Sequence, residues 1–186
     1  MITRILTALS FVLLLLVPCI DPVGASAQKR DHLTPQEVDL VKANQVLDKR
    51  IEVFIKAAER RLIVINGTAA TNAKQLKKDT EKWGELPAGT RSELVGDITR
   101  ILDEAITNID DVSGRDERNP LIPKALRKLA ASTTSIMDQL KAVRAEAKSE
   151  ADISSLESLG EYAQSILEAA NKLPPEVDKK AAKKKN

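Results

Sequence analysis

The feature that most constrains this chain is the spacing of its apolar residues, which recur mainly every three or four positions in four segments. That spacing lines one side of an α-helix, and such a helix must bury that side. The most regular stripe alternates spacings of four and three, as a heptad does: Ile122, Leu126, Leu129, Thr133, Ile136, Leu140, Val143 and Ala147. The other three are Leu40, Leu47, Ile51, Phe54, Ala58, Leu62 and Ile65; Leu94, Ile98, Ile101, Ala105, Ile109 and Val112; and Ile153, Leu156, Gly160, Ala163, Ile166, Ala170 and Leu173.

Capping residues mark where two of these helices begin. Thr34 with Glu37, and Thr90 with Glu93, have the spacing of a capping box, in which each side chain bonds to the other residue's backbone N–H. The sequence predicts principal helices over 35–65, 91–113, 120–148 and 150–173. Short links between the last three favour an all-α fold, an antiparallel four-helix bundle. The longer first connector leaves room for a crossover or a short extra helix over Ala73–Trp83.

The first 27 residues have the pattern of a secretory signal. Arg4 supplies a positive charge, residues 5–17 are almost unbroken apolar sequence, and Ala25-Ser26-Ala27 offers small residues to a signal peptidase. The apolar run is shorter than the about 20 residues that span a bilayer. We therefore expect a cleaved signal peptide, no transmembrane segment after cleavage, and a protein exported to the periplasm or secreted.

Cys19 opens an alternative, a lipoprotein signal in which the cysteine is acylated. Pro18 stands where such signals carry a small residue, so the Ala-Ser-Ala site is preferred. After cleavage before Gln28 the chain contains no cysteine, and its stability must come from a packed core. The predicted organisation is a cleaved signal peptide over 1–27, a helical bundle domain over 28–175 and a disordered lysine-rich tail over 176–186.

The tail changes the charge balance of the chain. The formal net charge of +2 becomes −3 when five lysines are set aside. These are Lys179, Lys180, Lys183, Lys184 and Lys185. A mobile basic end of this kind is typical of a weak contact with an anionic surface, which is our prediction for these five residues. The alternative is a tail that only keeps the protein soluble, and neither alternative implies a specific nucleic acid.

The sequence contains few residues of the types that bind metals or act as catalytic nucleophiles. His32 is the one histidine, so neither a Glu-x-x-His di-iron motif nor a multi-histidine zinc site can form. The mature chain has no thiol, and no Gly-x-Ser-x-Gly nucleophile elbow is present. We expect no catalytic residues, no cofactor and no metal, with His32 solvated ahead of the first helix.

An acidic group leaves two alternatives open: Asp110, Asp111, Asp116 and Glu117. Oxygen donors of this type bind calcium. Ile109, however, occupies the place of the first ligand in an EF-hand loop. A solvated helix end is the simpler interpretation, with a weak cation site as the alternative.

A basic strip likewise leaves two alternatives: Arg60, Arg61, Lys74, Lys77, Lys78 and Lys82, with Trp83 beside it. Positive charge next to an aromatic ring suits an anion or a charged polymer. In the alternative, Trp83 covers one end of the core while the lysines extend into water.

Leu33-Thr34-Pro35-Gln36 resembles the Leu-Thr-x-x-Gln signature of small helical periplasmic chaperones related to Spy, although Gln36 comes one residue early. The capping box accounts for the same residues. The resemblance implies an alternative function as a periplasmic chaperone for unfolded envelope proteins. The main expectation is an exported, noncatalytic protein in interaction or structural support, with an unknown protein or envelope partner.

Overall fold

Six α-helices supply the regular secondary structure of residues 30–175, the part of the chain that the computed structural model describes. They are α1 (Pro35–Ala43), α2 (Leu47–Ile65), α3 (Ala73–Trp83), α4 (Arg91–Arg115), α5 (Leu121–Glu146) and α6 (Glu150–Asn171). No strand occurs within those residues. The all-α prediction is confirmed. None of the helices in this range has the length and apolar character needed to cross a bilayer.

The four long helices α2, α4, α5 and α6 form the bundle, and each of α2 and α6 packs against both α4 and α5. Lys124 Nζ lies 2.5 Å from Asp48 Oδ2, and one helical turn further along, Lys128 contacts Glu52, so α2 and α5 run parallel. Arg50, near the start of α2, donates to Asn108 on the later half of α4 at 2.9 Å, so those helices are antiparallel.

Successive long helices alternate in direction, as the sequence predicts, but they are not all neighbours. The backbone at Gly160 of α6 lies against Met137 of α5, and Arg127 near the start of α5 donates to the carbonyl of Pro174 beyond the end of α6. The α5–α6 pair is therefore antiparallel, and α4 runs parallel to α6. The α4–α5 pair, consecutive in the chain, meets across the core.

Local signals explain most helix boundaries. The side chains of Thr34 and Thr90 accept hydrogen bonds from the backbone N–H groups of Glu37 and Glu93, and both predicted capping boxes are complete. Ser149 caps α6. Helix α2 ends before Gly67, whose φ of 63° belongs to the left-handed region that glycine occupies without strain. The short extra helix occupies Ala73–Trp83, as the sequence predicts.

The first predicted helix, 35–65, is wrong as a single element because the chain breaks between Ala43 and Leu47. Asn44 and Val46 have extended backbone conformations. Arg50 holds this break, with Nε donating to the carbonyl of Asn44 and Nη2 donating to Oε1 of Gln45, both at 2.9 Å. Helix α1 consequently folds back instead of extending α2.

The predicted stripe of α5 is confirmed: Leu129 is 0 %, Ile136 1 % and Leu140 2 % exposed. The stripe of α6 is partly wrong, since Ile153 is 42 % exposed whereas Leu159, outside the stripe, is fully buried. The buried face of α6 instead follows spacings of three, four and three through Leu156, Leu159, Ala163 and Ile166. Apolar residues alone allowed two overlapping faces, and packing selects this one.

Replacing Leu129 with Ala should lower the free energy of unfolding by about 2–5 kcal/mol, because the substitution leaves a cavity in the core. Ile153→Ala, the matched control, should cost less than about 1 kcal/mol because much of that side chain is in water. Chemical denaturation followed by circular dichroism measures both. A small loss for Leu129→Ala would contradict the burial of that residue in α5, and a large loss for Ile153→Ala would contradict the placement of α6.

Candidate functional site

A buried ionic cluster is the most distinctive chemical feature of the described residues. Glu37 on α1 is 0 % exposed, and Arg60 and Arg61 on α2 are each 1 % exposed. They meet where α1, α2 and the loop after α3 come together. We call these three residues the Glu37–Arg60–Arg61 cluster.

Glu37 uses both of its carboxylate oxygens. Oε1 accepts from Arg60 Nε at 3.2 Å and from Arg61 Nη1 at 2.6 Å. Oε2 accepts from the backbone N–H of Thr34 at 2.9 Å, which completes the capping box of α1. A single carboxylate thus caps one helix and compensates two buried guanidinium groups on another.

Arg60 connects the cluster to the end of α3. Its Nη2 donates to the backbone carbonyls of Trp83, Gly84 and Glu85 at 3.1, 3.0 and 2.6 Å. Its guanidinium carbon lies 5.8 Å from the centre of the Trp83 ring, within cation–π range. Carbonyls at a helix C-terminus lack partners within the helix and carry partial negative charge, so a cation stabilises them. Burial lowers the pKa of Arg60, and Glu37 opposes that shift.

Arg61 connects the cluster to the segment before α1. Its Nη2 donates to the backbone carbonyl of His32 at 2.6 Å, and its Nη1 also donates to the carbonyl of Ala57 at 2.8 Å. The His32 side chain is only 24 % exposed, and its Nε2 lies 2.7 Å from Oε2 of Glu104 on α4. The expectation of a solvated His32 is therefore wrong, because Arg61 holds its backbone against the bundle.

Gly84 allows α1 and the loop after α3 to approach closely. Its φ of 67° is left-handed, and a Cβ atom there would lie 2.9 Å from Cδ of Gln36. The left-handed backbone conformation is the reason for glycine here, because the atoms that a Cβ would meet lie at the end of the exposed, flexible Gln36 side chain. The contact places the three carbonyls of residues 83–85 within reach of Arg60.

The cluster is suited to holding structure together, since its charged groups face one another and the backbone. A second partly buried polar contact, between α6 and α4, has the same character. Tyr162 donates to Asp103 Oδ1 at 2.8 Å, and burial followed by this carboxylate raises the pKa of the phenol above its ordinary value of 10.0.

The structure separates the residues of the predicted basic strip. Arg60 and Arg61 are buried and belong to the cluster, so the alternative in which they form part of a basic surface strip is wrong. Trp83 is buried, which supports the alternative in which it covers the core. The strip's lysines are exposed along α3: Lys74, Lys77, Lys78 and Lys82.

The other predicted sites remain apart from the cluster. The acidic side chains near the end of α4 are all exposed: Asp110, Asp111, Asp116 and Glu117. Within residues 30–175, no three His, Cys, Asp or Glu side chains are arranged to hold a metal ion. The five tail lysines lie outside the described residues: Lys179, Lys180, Lys183, Lys184 and Lys185.

Sequence reasoning identified Glu37 only as a capping residue and missed its two arginine partners. A signal was present, because α2 carries apolar residues on more than one side: Ile51, Val53, Phe54, Ile55, Ala57, Ala58 and Leu62 are all buried. A helix that is apolar around much of its circumference is covered on several sides. Charged residues within such a helix need buried partners.

A second set of ion pairs joins α2 to α5. Asp48 is nearly buried, and its hydrogen bond with Lys124 lowers the pKa of its carboxyl group below the ordinary value of 3.8. Hydrogen bonds from Lys128 and then Lys49 lower the pKa of Glu52 in the same way. These contacts fix the lengthwise position of α5 on α2.

Glu37→Gln should lower the free energy of unfolding by about 3–5 kcal/mol, because two buried guanidinium groups lose their compensating charge. Asp39→Asn, on an exposed position of α1, removes the same charge and should change stability by less than about 0.5 kcal/mol. Urea denaturation measures both variants. Similar small effects would show that the cluster is open to water in solution.

The stabilising contribution of Asp48 should disappear in acid. Its folded-state pKa is lowered, so the contribution is present above the unfolded pKa and is lost as the pH falls through the folded value. The stability difference between the unmodified protein and Asp48→Asn should therefore shrink between about pH 5 and pH 2. Denaturation curves across this range measure it. A constant difference would contradict the assignment, and Asp39→Asn serves as the control.

No protein-family model, curated protein or solved structure matches this chain. The functional proposal therefore depends on the chain's own residues, on the packing of its helices and on the charges that its surface presents.

Proposed function

We propose that this is an exported, noncatalytic helical protein that acts in interaction or structural support in the cell envelope or outside the cell. The observation that supports this best is the inward placement of the apolar stripes. Among the described residues, the exposed large hydrophobic side chains are Val46 and Ile153. Isolated residues of this kind are ordinary on a protein surface. The apolar side chains of the helices are thus enclosed in the hydrophobic core.

The polar contacts support the same proposal. The Glu37–Arg60–Arg61 cluster fixes α1, and the carbonyls bound by Arg60 fix the end of α3. A body stabilised in this way presents charged helix faces at defined positions. Such faces suit a partner that recognises charge distribution, and they do not require a pocket that encloses a substrate.

The export part of the proposal rests on the first 27 residues, which lie outside the described range. A positive n-region, an apolar run and the Ala-Ser-Ala site are the features that a signal peptidase substrate needs. Cleavage there leaves Gln28 as the first residue.

A chaperone is the alternative, and one surface feature bears on it. A groove of about 870 Å³ between α5 and α6 is lined by Met137, Arg144, Glu157, Gly160, Glu161 and Gln164. Met137 is half-buried, whereas Leu140 and Leu156 beneath it are 2 % and 3 % exposed. The groove therefore presents little apolar area to an unfolded client, which favours the structural role.

The proposal predicts that the mature protein will not suppress aggregation of a heat-denatured client at equimolar ratio. The reason is that its apolar stripes are enclosed. Light scattering of the client with and without the protein measures this.

The proposal also predicts the start of the mature chain. When the protein is purified from the exported fraction, mass spectrometry should place its N-terminus at Gln28.

Clear suppression of aggregation that is lost in Met137→Glu would favour the chaperone and overturn the structural role. Ala131→Glu, at an exposed position on the same helix, is the matched control for the added charge. A mature chain that retains Met1, or one acylated at Cys19, would contradict the predicted cleavage.

A further inference from the structure

Helix α3 exposes four lysine side chains that make no ion pair with the bundle. Lys74, Lys78 and Lys82 are spaced four residues apart, and Lys77 lies beside them. Residues at this spacing share one face of a helix. All four side chains are exposed, and within the described residues they have no ion-pair partner. We call them the α3 lysine face.

The opposite side of α3 is turned toward the bundle. Trp83 is buried and Leu76 is partly buried. Asp79 also faces inward, where Oδ2 lies 3.4 Å from Lys56 Nζ of α2 and Oδ1 accepts from Gln75 at 2.8 Å. One of the two acidic residues of α3 is therefore neutralised by α2, and Glu81 is the single carboxylate left among the exposed lysines.

The end of α3 is held firmly. Arg60 binds the carbonyls of Trp83, Gly84 and Glu85, and Glu37 in turn binds Arg60. The helix carries its lysines outside the four-helix core at a fixed position. When the lysines bind a partner, conformational entropy is therefore lost only from their side chains, because the backbone of α3 is already ordered.

We propose that the α3 lysine face is a peripheral contact for an anionic phospholipid membrane surface. The proposal rests on the function suggested above, since it names the partner class for an exported interaction protein. The contact is electrostatic, because Trp83 is buried and Leu76 is partly buried, so the apolar side of α3 is not free to insert. Each lysine meets its own headgroup phosphate on a surface that carries many of them.

The arrangement favours a membrane over a single small anion. Lys74, Lys77, Lys78 and Glu81 line an open depression, and the lysines around it are exposed. The carboxylate of Glu81 repels one bound anion, whereas an extended surface places phosphates opposite the lysines and away from it. A small-anion site would place buried donors around the ligand.

Nucleic acid is less favoured for a different reason. Single strands bind through exposed aromatic rings that stack on the bases. Trp83 is buried, and its ring faces the guanidinium of Arg60.

The test uses the full mature chain and vesicles of phosphatidylcholine containing phosphatidylglycerol, with pure phosphatidylcholine vesicles as the uncharged reference. The test variant replaces Lys74, Lys77 and Lys78 with Gln. The matched control replaces Lys42, Lys148 and Lys172, three exposed lysines outside α3, with Gln. Both variants lose the same net charge. Circular dichroism and thermal denaturation verify that they fold alike.

The expected result is cosedimentation with anionic vesicles that falls on the order of a hundredfold in the α3 variant and only a few-fold in the control. Binding should also weaken as salt increases from about 0.01 M to 0.15 M, because exposed charges are screened. Equal losses in the two variants would overturn the proposal in favour of net charge alone.

Three further outcomes would also overturn it: no binding to anionic vesicles, binding removed only by deleting the residues after Asp178, or stronger binding to duplex DNA or to inorganic phosphate than to vesicles. None of these would affect the structural role, which the aggregation assay and the mature N-terminus test separately.

Discussion

The carboxylate of Glu37 is the contact on which the rest of the structure depends. It stands 23 positions before Arg60, and in one continuous helix the two would be about 35 Å apart. Their hydrogen bond therefore requires the chain to reverse between them, and it does so at residues 44–46. The break that local sequence signals do not explain follows directly from this long-range contact.

The reversal determines how the rest of the outer layer is built. Helix α1 covers α2 on a side that the four-helix core leaves open, which is why α2 buries residues outside its predicted stripe. Arg60 then binds the end of α3 through its carbonyls. Desolvating three charged groups costs several kcal/mol, so such a cluster contributes specificity of arrangement more than stability.

The elements predicted correctly are those whose causes are local. The Thr90 capping box marks the start of α4, and the heptad of α5 identifies Leu129 as core, because neighbours in sequence generate both signals. The burial of Arg61 depends on Glu37, 24 positions away, and the break at Asn44 lets the chain reverse so that the two residues meet. In the candidate site, the capping function of Glu37 was predictable, whereas its charged partners required knowledge of which helices pack together.

The charged groups of residues 30–175 divide into those paired inside the fold and those exposed along helix faces. Some ionisable groups form buried ion pairs, as Glu37 does with Arg60 and Arg61. Others are segregated outside: helix α6 carries five acidic residues and no lysine or arginine, whereas the outer side of α3 is basic. The exposed charges of α3 and α6 are thus spread along helix faces, and charges arranged in this way act together as a field over an extended surface instead of converging on one small ligand.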